Sequence, residues 1–212
     1  TYQNVGYAEQ YQNFLAQVRA AEQKIVPSGK PLLLTEAVAR NLFRLMAYKD
    51  EYEVARLHAD PAFAKKIADM FEGAYAVKFH LAPPFLARRD HHGHLIKQEF
   101  GSWMLPAFRV LSKLKFLRGT AFDPFGYSAE RRQERLLIAH YRRLTAELLP
   151  ELNSDNYGLL LELAALPQDI RGFGHVKERN LAAAKIRERE LLAAFHAPRN
   201  AAASHDTVGS LA

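Results

Sequence analysis

Tyr7, Tyr11, Phe14, Val18, Ala21 and Ile25 recur at alternating four- and three-residue steps. That spacing puts them on one stripe of a helix. Pro27-Ser28-Gly29-Lys30-Pro31 ends it. Thr35 is placed to cap a second helix, with Val38, Leu42 and Leu45 on its apolar face. Asp50 with Glu53 has the spacing of a capping box. Asp60-Pro61 is a further helix start, with proline where the missing N–H costs nothing. Gly73 stands where a C′ glycine would stop that helix.

The period then changes. Tyr75, Val77, Phe79 and Leu81 alternate with Ala76, Lys78 and His80, the two-residue repeat of a half-buried strand. Pro83-Pro84 breaks or edges it, Asp90-His91-His92-Gly93 reads as a turn, and His94 to Phe100 as a returning strand. Helices resume afterwards. Pro106 suits the first turn of one that ends before Gly119. Asp123-Pro124-Phe125-Gly126 reads as a turn in which proline presets φ and glycine tolerates positive φ. Ser128 can cap a long helix carrying Leu137, Tyr141, Leu144 and Leu148. Another starts at Ser154 or Asp155 and ends at Pro167. The last begins near Gly174, with Leu181, Ala184, Leu191 and Phe195 inward and Glu178, Lys185, Glu188 and Arg189 outward.

The pattern predicts a mainly α domain over residues 1–196 with one small β-hairpin or short antiparallel sheet around residues 75–100, and a loosely ordered tail over 197–212. The 212 residues suffice for a full core. Nearly half are apolar and a quarter charged, as in soluble globular chains. No apolar run approaches the ~20 residues of a membrane span, and no signal peptide is visible, so a cytoplasmic location is expected. The chain opens on Thr1 without a methionine, as an excised domain would. It holds no cysteine, which excludes disulfides and cysteine-ligated zinc or iron–sulfur centres within it.

Candidate chemistry is sparse. Gly172-Phe173-Gly174 precedes a helix whose first turn holds His175 and Lys177, with Arg171 just before. Free N–H groups at a helix start beside cations make an anion-binding corner from Arg171, Gly172, Gly174, His175 and Lys177. The bland alternative is a tight turn with Arg171 in a structural pair. His80, His91, His92 and His94 could share a metal but read better as a solvated turn, and no metal site is assigned. Tyr48 to Glu53 is dense in titratable groups. It reads as a helix–helix corner rather than acid–base machinery. Arg131, Arg132, Arg135, Arg142 and Arg143 make one helix basic. The interleaved Glu130, Glu134 and Glu147 argue for a solvated or interdomain face, not nucleic acid. No catalytic residue is assigned.

Five segments share an unusual texture: Ala47-Tyr48-Lys49-Asp50-Glu51-Tyr52-Glu53-Val54-Ala55-Arg56, Phe79-His80-Leu81-Ala82-Pro83-Pro84, Phe100-Gly101-Ser102-Trp103-Met104-Leu105-Pro106, Phe122-Asp123-Pro124-Phe125-Gly126-Tyr127, and Asp169-Ile170-Arg171-Gly172-Phe173-Gly174-His175-Val176-Lys177-Glu178-Arg179-Asn180. In order and spacing they resemble the C-terminal domain of bacterial fused indolepyruvate ferredoxin oxidoreductases, thiamine-diphosphate enzymes of the 2-oxoacid:acceptor oxidoreductase family. The resemblance runs from about Tyr2 to about Phe195. It implies a parent enzyme that oxidatively decarboxylates aryl-pyruvates with CoA to aryl-acetyl-CoA and reduces ferredoxin. The parent would use thiamine diphosphate, magnesium and iron–sulfur clusters. This stretch has neither the cysteines nor a Gly-Asp-Gly…Asn-Asn pattern to hold them, so no cofactor is expected within it.

The implied role is an accessory domain docked on the catalytic domains, with ferredoxin contact or a homodimer as further partners and no nucleic acid or membrane. The net charge of +6 keeps the chain soluble and would suit an acidic partner. The alternative role is a CoA- or anion-binding module closing over the parent active site. A docking domain should leave an apolar patch uncovered. Phe100, Trp103, Met104, Phe108 and the Phe122–Tyr127 turn are its expected members.

Overall fold

A computed structural model of the chain describes residues 2–81, 88–89, 95–172 and 174–197. Among these described residues eight helices run: α1 (Val5–Glu22), α2 (Leu33–Met46), α3 (Glu51–Ala59), α4 (Pro61–Met70), α5 (Met104–Lys113), α6 (Ala129–Leu148), α7 (Tyr157–Ala165) and α8 (His175–His196). Short 3₁₀ turns extend α5, α6 and α7. Between α4 and α5 lie β1 (Phe79–Leu81), β2 (Arg88–Arg89), β3 (Leu95–Ile96) and β4 (Gln98–Phe100). The mainly α reading with a small antiparallel hairpin therefore holds. Asp90-His91-His92-Gly93, Pro83-Pro84 and the tail from residue 198 lie outside the described residues.

Several helix starts follow from single residues. Asp50 accepts from the Glu53 N–H at 2.9 Å, Asp60 from Ala62 N–H at 2.9 Å, and Ser128 from Arg131 N–H at 3.2 Å. Each satisfies a donor that the first turn leaves without an intrahelical acceptor. Thr35 is not a cap. The helix begins two residues earlier, at Leu33, after Leu32, whose side chain makes no capping bond. The cap comes from α1 instead. Glu22, fully buried, accepts from Leu34 N–H (2.8 Å), Thr35 N–H (2.7 Å), Thr35 Oγ1 (2.6 Å) and Tyr157 Oη (2.6 Å). A carboxylate at this helix N-terminus answers both the free donors and the dipole.

Three further expectations need correction. Helix α4 ends at Met70, so Gly73, with φ of 82°, bends the loop beyond it rather than serving as C′. Helix α7 starts at Tyr157 after Asn156, later than Ser154 or Asp155. The strand expected from Tyr75 starts only at Phe79. Phe79 pairs with Phe100, the last strand residue before the turn into α5, so residues upstream of Phe79 have no partner strand opposite them.

Two apolar cores result. The larger joins α1, α2, α6, α7 and α8 through Phe14, Val18, Leu34, Val38, Leu42, Tyr141, Leu160, Leu191 and Phe195. The smaller gathers Ala55, Phe79 and Phe108 under the hairpin, with Phe63, Leu105 and Leu111 packed on it. All four inward residues expected on α8 are buried. Glu188, expected outward, instead turns toward α6 and meets His140 Nε2 at 2.9 Å.

Candidate functional site: a charge cluster beside the Gly172–Gly174 turn

At the junction of α2 with α3 and in the segment after α5, the chain buries ionic groups. Asp50 and Arg118 are 3% and 6% exposed. Arg118 Nε and Nη2 donate to the two Asp50 oxygens at 2.5 and 2.8 Å, and Nη1 reaches the Tyr2 carbonyl at 3.2 Å. Its guanidinium lies 4.2 Å from the centre of the Tyr2 ring. Asp50 thus caps α3 and anchors the segment after α5 with one carboxylate. This bidentate pairing is the strong form of the interaction.

A second buried carboxylate organises the next turn. Asp123 accepts from Gly119 N–H (2.8 Å), Phe125 N–H (3.1 Å) and Tyr52 Oη (3.1 Å). The turn at Asp123-Pro124-Phe125-Gly126 is present, closed by Gly126 N–H to the Asp123 carbonyl at 3.2 Å. The reason for glycine differs from the one expected. Gly126 is not among the glycines with positive φ. A Cβ there would stand 2.7 Å from Asp123 Oδ2, so the position is kept bare for that carboxylate.

The cluster continues along α6. Arg131 pairs with Glu134 one turn on and lies 3.4 Å from Glu51. Glu134 accepts from Lys177 Nζ, on the first turn of α8, at 2.9 Å. The basic face of α6 therefore divides. Arg131 is buried in an ion pair, Arg135 donates to the Gly126 carbonyl, Arg142 stacks over Phe14, and Arg143 faces Glu147. Of the face expected to be solvated or interdomain, Arg132 and Arg143 are exposed, whereas Arg131, Arg135 and Arg142 make contacts within the fold.

Burial shapes the titrations. It pushes Glu51 above the ordinary carboxyl range despite Arg131 beside it. Burial also raises Tyr2, Tyr48 and Tyr52, and lifts Tyr7 to about 12. These hydroxyls stay protonated and act as donors: Tyr2 to the Tyr48 carbonyl at 2.6 Å, Tyr7 to the Met46 carbonyl at 2.9 Å. Glu53 is held low, first by its hydrogen bonds from Arg56. These partners make the Tyr48–Glu53 stretch a helix corner in which most polar groups are paired, Glu51 Oε2 being buried without a hydrogen bond.

Of the anion-corner residues, Arg171, Gly172 and Gly174 precede α8, and His175 and Lys177 lie in its first turn. Gly172 and Gly174 adopt φ of 99° and 54°. A Cβ at Gly172 would meet Val176 Cγ1 at 2.8 Å, so the turn packs onto its own helix. Asn180 Nδ2 holds the Arg171 carbonyl at 2.9 Å. Arg171 Nε donates to the Gln168 carbonyl at 2.6 Å, its charge left without a carboxylate in that bond. Lys177 points to Glu134. Phe173 lies outside the described residues.

The expected apolar patch divides similarly. Trp103, Phe122 and Tyr127 are 63%, 81% and 64% exposed. Phe100, Met104 and Phe125 are half-buried. Phe108 is core, packed edge-on to Phe79. Among the described residues no group of three or more His, Cys, Asp or Glu could hold a metal ion, and no helix is long and apolar enough to cross a membrane. A cavity of about 40 Å³ lies between α6, α7 and α8, walled by leucines and by the His140–Glu188 pair. That is room for water, not for CoA or an indole.

Residues 1–190 match the family of unknown function DUF6537. The chain belongs to that family. No curated protein and no solved structure matches it. In this DUF6537 chain, Arg118, Asp123 and Glu22 are the organising residues that sequence reasoning missed. Glu22 did carry a signal: it lies on the buried side of α1, next to Ala21 on the apolar stripe.

Proposed function

We propose that this chain is an accessory domain that docks on the catalytic parts of an enzyme like the indolepyruvate ferredoxin oxidoreductases. The reading rests on the five quoted segments, and the exposed aromatic side chains support it. Trp103, Phe122 and Tyr127 stand in water in the single chain, where a partner surface would give their rings a reason. In the parent reaction the domain positions catalytic domains and supplies no reacting group. The parent holds thiamine diphosphate, magnesium and iron–sulfur clusters elsewhere. The test is an assay of the complete protein that contains the chain, with indolepyruvate, CoA, thiamine diphosphate, magnesium and a viologen acceptor. CoA-dependent viologen reduction is expected from the complete protein and none from the isolated chain. A complete protein without this activity, or turnover by the isolated chain, refutes the reading.

A second reading has its own observation. Arg171 sits at the start of the 22-residue α8 with no carboxylate on its Nε, a setting that suits a CoA phosphate. Lys177 would have to leave Glu134 to join it. Arg171→Ala/Lys177→Ala should raise the Michaelis constant for CoA and leave that for indolepyruvate unchanged. Unaltered CoA dependence in the folded variant reduces the turn to a helix start.

A further inference from the structure

Helix α5 is apolar on two opposite sides. Met104, Leu105, Phe108 and Leu111 pack into the smaller core. Trp103, Pro106 and Val110, at three- and four-residue steps, form a second stripe that faces water. Trp103 is 63% and Val110 62% exposed, and Phe116, just beyond the helix, is 69% exposed. A helix that is apolar all round is ordinarily covered all round. Here one side is covered by the chain and the other is not.

The charge on this segment has one sign. No Asp or Glu stands between Glu99 and Asp123, whereas Arg109, Lys113, Lys115 and Arg118 all do. Arg118 is consumed by Asp50 inside the fold. Arg109 and Lys113 are exposed beside the outer stripe. An apolar centre of Trp, Val and Phe with basic flanks is the composition of an interface core with a charged rim. Two cations are too few to recruit an anionic bilayer at about 1 kcal/mol each, which favours a protein over a membrane. They are enough to orient an acidic protein face. A second copy would set the same cations against themselves across a two-fold axis.

Resting on the docking reading above, we infer that the outer stripe of α5, Trp103–Pro106–Val110 with Phe116 and the flanking Arg109 and Lys113, is the surface that docks. Its partner is a protein face with an apolar centre bordered by Asp and Glu. The apolar stripe supplies the closeness of fit and the cations choose the orientation.

The experiment uses the complete protein with a photo-crosslinking residue in place of Val110. Mass spectrometry identifies the peptide captured. The expected product is a peptide rich in Asp and Glu, from outside residues 1–212. Its yield should fall about tenfold in Arg109→Glu/Lys113→Glu at low ionic strength. Much of that difference should disappear near ~0.5 M salt, where exposed charges are screened. Capture of the same stripe from a second copy, capture of a surface without acidic residues, or no capture overturns the proposal. So does cosedimentation with phosphatidylserine vesicles that the charge reversal abolishes. If the acidic peptide belongs to a protein with no 2-oxoacid oxidoreductase activity, the docking surface stands and the parent-enzyme reading falls.

Discussion

Replacing Arg118 by methionine tests whether the Asp50–Arg118 pair holds the start of α3 to the segment after α5. Methionine keeps an apolar stem against the Tyr2 and Tyr52 rings but removes the guanidinium. Asp50 then loses two hydrogen bonds, at 2.5 and 2.8 Å, and keeps its cap bond to the Glu53 N–H. At 3% exposure it has almost no water to replace them. Breaking one partner of a buried pair costs about 3–5 kcal/mol, because the surviving charge is stranded. With a urea slope of about 2.5 kcal/mol per molar, the midpoint should fall by roughly 1–2 M. The double variant Asp50→Asn/Arg118→Met removes the stranded charge while asparagine still caps α3. It should recover much of the loss, giving a coupling energy of the opposite sign to the single effects. Urea unfolding followed by circular dichroism reads Arg118→Met, Asp50→Asn and the double variant. A loss below about 1 kcal/mol in Arg118→Met, or a double variant as unstable as the two singles added, would refute the argument.

Three further outcomes are expected. Glu22→Ala strips the cap of α2, strands the Tyr157 Oη and Thr35 donors and leaves Leu34 N–H only its longer bond to Tyr157 Oη, so it should cost about 2–4 kcal/mol in urea unfolding. Gly172→Ala meets both positive φ and Val176, whereas Gly29→Ala meets positive φ with open space around it, so thermal unfolding should show the first as the more damaging by about 1 kcal/mol or more. His58 sits among Phe63, Phe79 and Phe108, and burial holds it below the ordinary imidazole range. The unfolded chain therefore binds the proton first as pH falls, and stability should decline below about pH 6.5. His58→Leu should flatten that part of the stability–pH profile measured by thermal unfolding.

The sequence by itself determined what depends on neighbours a few positions away. The steps from Tyr7 to Val18 and from Leu181 to Phe195 specify helix faces because side chains three and four apart share a side. Asp50, Asp60 and Ser128 announce helix starts because a cap reaches only two or three residues along the chain. The Tyr75–Leu81 alternation announced a strand but not its length, since a strand extends only as far as its partner does. What the tertiary structure decided lies across long separations. Asp50 meets Arg118 and Tyr52 meets Asp123 from 68 and 71 positions away, and Glu22 meets Tyr157 from 135. In the sequence each of these is one charged or polar residue among many, and no periodicity marks a pairing between helices. Packing alone separated Phe108 from Trp103: both are aromatic residues of one apolar segment, yet one fills the core and the other faces water. Burial in the shared interior made ion pairs of groups that would otherwise be solvated, because a charge removed from water must find its opposite where the fold has placed it.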